Sequence, residues 1–92
     1  MIEYNNLKVI TGVIYQANED GMMIYVPEEG MIHAVNITAA DILLLIEQGN
    51  KGIDQLVDAM KEKYVGVDRE VLHDDVKAIL DTYIELDIIS NV

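Results

Sequence analysis

The period of the apolar residues changes once along this chain, near residue 37, and that change limits the folds open to it. Upstream, "VITGVIYQ", "MMIYV" and "MIHAV" are short runs rich in β-branched and aromatic side chains, which suit a pleated, half-buried surface. Turn chemistry separates them. "NEDG" at 18–21 and "PEEG" at 27–30 each place glycine last, where a short hairpin loop needs a positive φ, and Pro27 supplies the fixed φ of an early turn position. The pattern predicts three antiparallel strands in a meander over about residues 9–37.

Downstream the spacing becomes helical. Thr38 is expected to cap a first helix over about 39–48 through its hydroxyl, with Asp41 three residues on as a weaker capping box and Gly49 just past the end. Gly52 then precedes "IDQLVDAMKEKYV", a second helix with Gln55 in its first turn and Gly66 after its end. Asp68 is expected to cap the third, "REVLHDDVKAILDTYIEL", whose acids cluster early as the helix dipole favours. The tail "DIISNV" suits a short closing extended piece. The expected fold is α+β, one domain over residues 1–92, with a three-stranded meander followed by three helices that end near residue 87.

A chain of 92 residues can hold one modest core and not two, so no cleft between lobes is expected. Its longest apolar run, Ile42 to Ile46, falls far short of the ~18 residues that cross a bilayer, and "MIEYNNLK" lacks the marks of a signal peptide. A cytoplasmic protein is expected. Seventeen acidic side chains against six basic ones give a formal charge of −11, which repels phosphate backbones and anionic membranes. Neither nucleic acid nor membrane is an expected partner, because Lys8, Lys51, Lys61, Lys63, Arg69 and Lys77 are scattered among acids.

Catalytic readings find little support. With no cysteine there is no thiol nucleophile or thiolate metal site, and Ser90, the only serine, lies at the end of the chain. His33 and His73 lack the close spacing of a helical zinc motif, and "GNKG" lacks the spacing of a phosphate-binding loop. No enzyme activity, metal or cofactor is expected.

Two features point instead to a binding surface. Leu72, Val76, Ile79, Tyr83 and Leu86 form a core stripe on the third helix, and His73, Lys77, Leu80 and Ile84 form a second stripe beside it. Leu80 and Ile84 either widen the core contact or wall a groove. The strand Met31 to Val35 carries none of the Lys, Pro or bulge signals with which proteins blunt a free edge. An apolar strip beside an open edge suits an extended peptide, whose backbone pairs with the strand while its side chains drop against the helix. The chain's own N-terminal segment or a second copy of the protein would fit the same edge.

Gly30, Val35-Asn36, Thr38-Ala39, Gly49, Asp75-Val76, Leu80 and Ile88-Ile89 form a pattern whose most specific part is "VNITAADIL". Through it residues 25–89 resemble the PqqD-like family, the recognition elements for precursors of ribosomally synthesised, modified peptides. It departs at Asp87, where relatives have Gly and a left-handed conformation would cost Asp more. The resemblance implies a winged-helix-like, non-catalytic domain that binds the leader segment of a precursor peptide by strand addition. It also implies a partner enzyme, such as a radical S-adenosylmethionine enzyme, a cyclase or a leader peptidase. By position, Met31, Ile32, His33, Ala34 and Val35 would pair with the leader, and Leu80 and Ile84 would line the groove. His73 and Lys77 are added as polar rim residues from the helix pattern. A winged-helix transcriptional regulator shares the architecture but conflicts with the charge, and a homodimer that pairs its own edges is a third reading.

Overall fold

The computed structural model describes residues 4–19 and 21–91 of the chain. Its elements run β1 (Leu7–Val9), β2 (Ile14–Asn18), β3 (Gly21–Val26), β4 (Met31–Val35), α1 (Ile37–Glu47), α2 (Ile53–Lys63), α3 (Arg69–Glu85) and β5 (Ile89–Asn91). The expected meander is present as the antiparallel sheet β2-β3-β4, followed by the three expected helices. This is an α+β, winged-helix-like arrangement, with the sheet as the wing.

One expected strand is divided. "VITGVIYQ" breaks at Gly12, whose φ of 85° turns the chain, so Val9 ends β1 while Ile14 begins β2. β1 instead pairs antiparallel with β5, in the register Leu7↔Asn91, Lys8↔Ser90, Val9↔Ile89. Backbone bonds from Leu7 N–H to Lys51 C=O (2.9 Å), Ile53 N–H to Tyr4 C=O (2.8 Å) and Ile10 N–H to Ile88 C=O (2.8 Å) stitch this ribbon to the helices.

The turns of the wing follow their glycines. At 27–30 the Gly30 N–H donates to Val26 C=O (2.8 Å) and Gly30 takes a φ of 68°. In the other turn Asp20 lies outside the described residues, and Gly21 already belongs to β3, opposite Asn18. A Cβ on Gly21 would stand 3.0 Å from the Val35 carbonyl oxygen, so a side chain there would press on the end of β4.

α1 begins earlier than expected. Asn36, not Thr38, is its N-cap: the Ala39 N–H donates to Asn36 Oδ1 (2.8 Å). Asp41, expected to complete a capping box, instead accepts from the Tyr64 hydroxyl (3.1 Å) and pairs with Lys63 (2.9 Å). Gln55 closes the start of α2 by accepting from the Lys51 and Gly52 N–H groups (2.9 and 3.3 Å). Asp68 stands at the N-cap of α3 without a side-chain capping bond. Past the end of α3, Asp87 has a φ of 60°, the only positive φ at a non-glycine among the described residues. This is the position where the family resemblance implies glycine.

Apolar periodicity explains the packing. β3 turns Ile24 and Val26 inward, and they meet Ile42, Leu43 and Ile46 of α1, Leu56, Val57 and Met60 of α2, and the inner face of α3 in one cluster. No buried polar or charged residue occurs among the described residues, so the core carries no desolvated charge. Leu80, expected either in the core or on a groove wall, is 0% exposed. It belongs to the core, whereas Leu86, assigned to the core stripe, is 40% exposed.

Candidate functional site

β4 is the outer strand of its sheet. It pairs with β3 in the register Met22↔Val35, Met23↔Ala34, Ile24↔His33, Tyr25↔Ile32 and Val26↔Met31. Among the described residues no further strand pairs with it, and no other backbone hydrogen bond involves residues 31–35. In an antiparallel pair alternate residues of an outer strand aim both N–H and C=O away from their neighbour. The result is a short ladder of unmet donors and acceptors, with no charged side chain along it to repel a partner.

The strand's two faces differ. Met31, His33 and Val35 share the inner face with Met22, Ile24 and Val26. Their exposure falls along the strand: Met31 is exposed, His33 half-buried and Val35 buried. Ile32 and Ala34 point to the outer face, where Ile14, Tyr25 and Ile32 form one cross-strand row of exposed apolar side chains. His33 Nε2 is buried and has no hydrogen-bond partner among the described residues. In the same cross-strand row Tyr15 also buries an unbonded hydroxyl. Burial first, then the nearby Glu47 carboxylate, raises the Tyr15 pKa above its ordinary value.

α3 has two flanks beside its buried stripe of Leu72, Val76, Leu80 and Tyr83. At about 100° per residue, His73, Lys77 and Ile84 fall on one side of that stripe, and Asp75, Ile79, Thr82 and Leu86 on the other. The first flank looks toward the N-terminal segment. Arg69 pairs with Asp58 of α2, while Lys77 pairs with Asp81 (3.0 Å) and stands 5.9 Å from the centroid of the Tyr4 ring. The Tyr4 hydroxyl donates to the Asp81 carboxylate. This bond, reinforced by Lys77, lowers the Asp81 pKa, and the same bond raises that of Tyr4.

The second flank faces the other way. Asp75 meets Thr38, Tyr64 and Leu72 around a cavity of about 120 Å³, and Thr38 lies three residues beyond the end of β4. The structure therefore gathers Met31 to Val35 on one free edge but does not bring His73, Lys77, Leu80 and Ile84 to it as a wall. Leu80 is in the core, Lys77 is engaged with Asp81 and Tyr4, and His73 and Ile84 are half-buried on the flank away from Thr38. On the second flank Ile79 packs against the core, and Asp75 lines the cavity beside Thr38. Periodicity marks a helix's buried stripe without saying which neighbour each flank meets.

Other concavities occur among the described residues. One of about 550 Å³ lies between β1 and the end of α1, lined in part by Lys8, Thr11, Lys51 and Ser90. Among the described residues no cluster of three or more His, Asp or Glu could hold a metal ion, and no helix is long and apolar enough to cross a membrane.

Comparison with known proteins bears on the family and the fold. Residues 11–89 match the family described as coenzyme PQQ synthesis protein D (PqqD). The fold is similar to that of TbiB1, solved in complex with the TbiA(beta) leader peptide, with a TM-score of 0.76 and 21% identity over 92% of this chain and 96% of that one. It is also similar to a lasso peptide synthetase B1 complexed with its leader peptide, with a TM-score of 0.75 and 18% identity over 92% of this chain and 98% of that one. No curated protein sequence matches.

Proposed function

Because the chain belongs to the PqqD family, we propose that it is a single-domain, non-catalytic module that binds the leader segment of a ribosomally made precursor peptide. The leader adds as a strand to β4 and is presented to a modifying enzyme in the cytoplasm; a radical S-adenosylmethionine enzyme, a cyclase or a leader peptidase fits that role. The observation that carries this reading is the unpaired, uncharged edge of Met31 to Val35. The two structural relatives solved with leader peptides support it.

Strand addition uses groups already in place. A fully extended peptide of about five residues spans β4, and its own N–H and C=O groups meet the outward ladder without any rearrangement of the sheet. Its inward side chains then lie beside Met31 and His33, on the face that β4 shares with Ile24 and Val26. Affinity comes from main-chain bonds and specificity from these side-chain contacts.

A direct test is selection of a displayed library of random 15-residue peptides on the immobilised protein. The reading expects enrichment of extended sequences that bind with micromolar or tighter Kd and compete with one another for a single site. No enrichment, or salt-sensitive binding of duplex DNA in its place, would refute it.

A further inference from the structure

The orphaned nitrogen of His33 carries a more specific conclusion, which rests on the peptide-binding reading above. We infer that His33 is a specificity-determining residue: it hydrogen-bonds a hydroxyl or carboxamide side chain on the bound peptide, at the position directly opposite it in the added strand.

The geometry supports this in three steps. First, His33 sits in the middle of β4, paired with Ile24, which is 0% exposed, so the imidazole occupies the inner face of the sheet. Directly opposed residues of adjacent strands place their side chains on the same face, with Cβ atoms about 4.5–5.5 Å apart. A peptide strand alongside β4 therefore sets one of its inward side chains next to the imidazole.

Second, the nitrogen lacks a partner in the free protein. Nε2 is shielded from solvent and unbonded, and buried polar atoms in folded proteins are nearly always satisfied. Tyr15, the other orphan in the row, lies on the far strand of the sheet and has the Glu47 carboxylate nearby. For His33 the side open to a new group is the edge itself. The residue is only half-buried and stands on the outer strand, beside the position an added strand would take.

Third, the chemistry selects the partner. A neutral imidazole nitrogen either donates or accepts, depending on the tautomer, and hydroxyl and carboxamide groups match both states. A carboxylate only accepts and would carry its charge onto the apolar inner face beside Ile24, in a chain of formal charge −11. Serine, threonine, asparagine or glutamine is therefore expected at that one peptide position, between neighbours chosen for apolar packing.

The test uses the same random 15-residue library, selected in parallel on the wild-type protein, His33→Leu and His33→Gln, each first shown to be folded by its thermal transition. Wild type should enrich peptides with a hydroxyl or carboxamide residue at one aligned position, His33→Gln should largely keep that preference, and His33→Leu should replace it with apolar residues. For a wild-type peptide, alanine at that position should weaken binding about tenfold, or about 1.4 kcal/mol, and have little further effect on His33→Leu. Such non-additivity identifies a direct contact. Peptides that bind β4 but carry an apolar or acidic residue there, or the same preference on His33→Leu as on wild type, would overturn the inference and leave the peptide-binding reading intact. Failure of wild type to enrich any peptide would overturn both.

Discussion

Leu80→Ala separates two accounts of α3 more sharply than any other single change. If Leu80 were a groove wall, truncation would leave the fold intact and reduce peptide affinity. Instead it is 0% exposed and belongs to the main core cluster with Leu72, Val76 and Tyr83. Removing three buried carbons at about 0.8 kcal/mol each costs about 2.4 kcal/mol in transfer free energy alone. The cavity left behind brings such changes to about 2–5 kcal/mol. A domain of 92 residues has a stability of about 5–14 kcal/mol at 0.05–0.15 kcal/mol per residue, so the loss is a large fraction of the whole. Urea unfolding followed by circular dichroism should show the midpoint falling with an unchanged slope, and a Tm lower by about 8 °C or more. A cost below about 0.5 kcal/mol, the usual range for surface positions, would refute the placement of Leu80 in the core.

Three further outcomes follow from local features. Asn36→Ala should cost about 1 kcal/mol in urea unfolding and Thr38→Ala clearly less, because the capping bond to Ala39 comes from Asn36; the reverse order would restore Thr38 as the cap. Asp87→Gly should stabilise the protein by about 0.5–1 kcal/mol, since relief of a left-handed L-residue outweighs the unfolded-state entropy of glycine; an unchanged or lower Tm would show that φ of 60° costs Asp nothing here. The Tyr4–Asp81 bond lowers the Asp81 pKa from its ordinary 3.8, so its contribution is full above 3.8 and lost as pH falls through the lower, folded value. In urea titrations from neutral to acid pH, Asp81→Asn should therefore flatten the acid loss of stability; an unaltered acid profile would mean that the bond is not linked to folding.

Local signals in the sequence carried most of the architecture. Glycine at the end of "PEEG", the β-branched runs and the periodicity after residue 37 are short-range features, and the meander and three helices formed where those features put them. The edge strand was legible for the same reason: Met31 to Val35 shows its lack of charge in five consecutive letters. What failed depended on distant partners. The β1–β5 ribbon joins residues some eighty positions apart, so nothing local marked Leu7–Val9 as separate from β2 except Gly12. Leu72, Val76, Ile79 and Tyr83 of the expected α3 stripe meet the core and Leu80 joins them, because apolar residues on both sides of the stripe share its period; Leu86 departs. Leu86 sits at the helix C-cap, where the chain turns away and leaves it partly exposed. Asn36 and Thr38 both suit an N-cap by composition, and only the backbone trajectory leaving β4 decides between them.

The central claim, that β4 offers its free edge to a peptide strand, is tested most directly by amide hydrogen exchange on the protein with and without a library-selected peptide. Alternate amides of Met31 to Val35 should exchange quickly in the free protein and slow markedly on binding, while those paired to β3 stay protected throughout. Binding that leaves every amide of Met31 to Val35 at its free-state rate, or that protects the edge of β2 instead, would contradict the account.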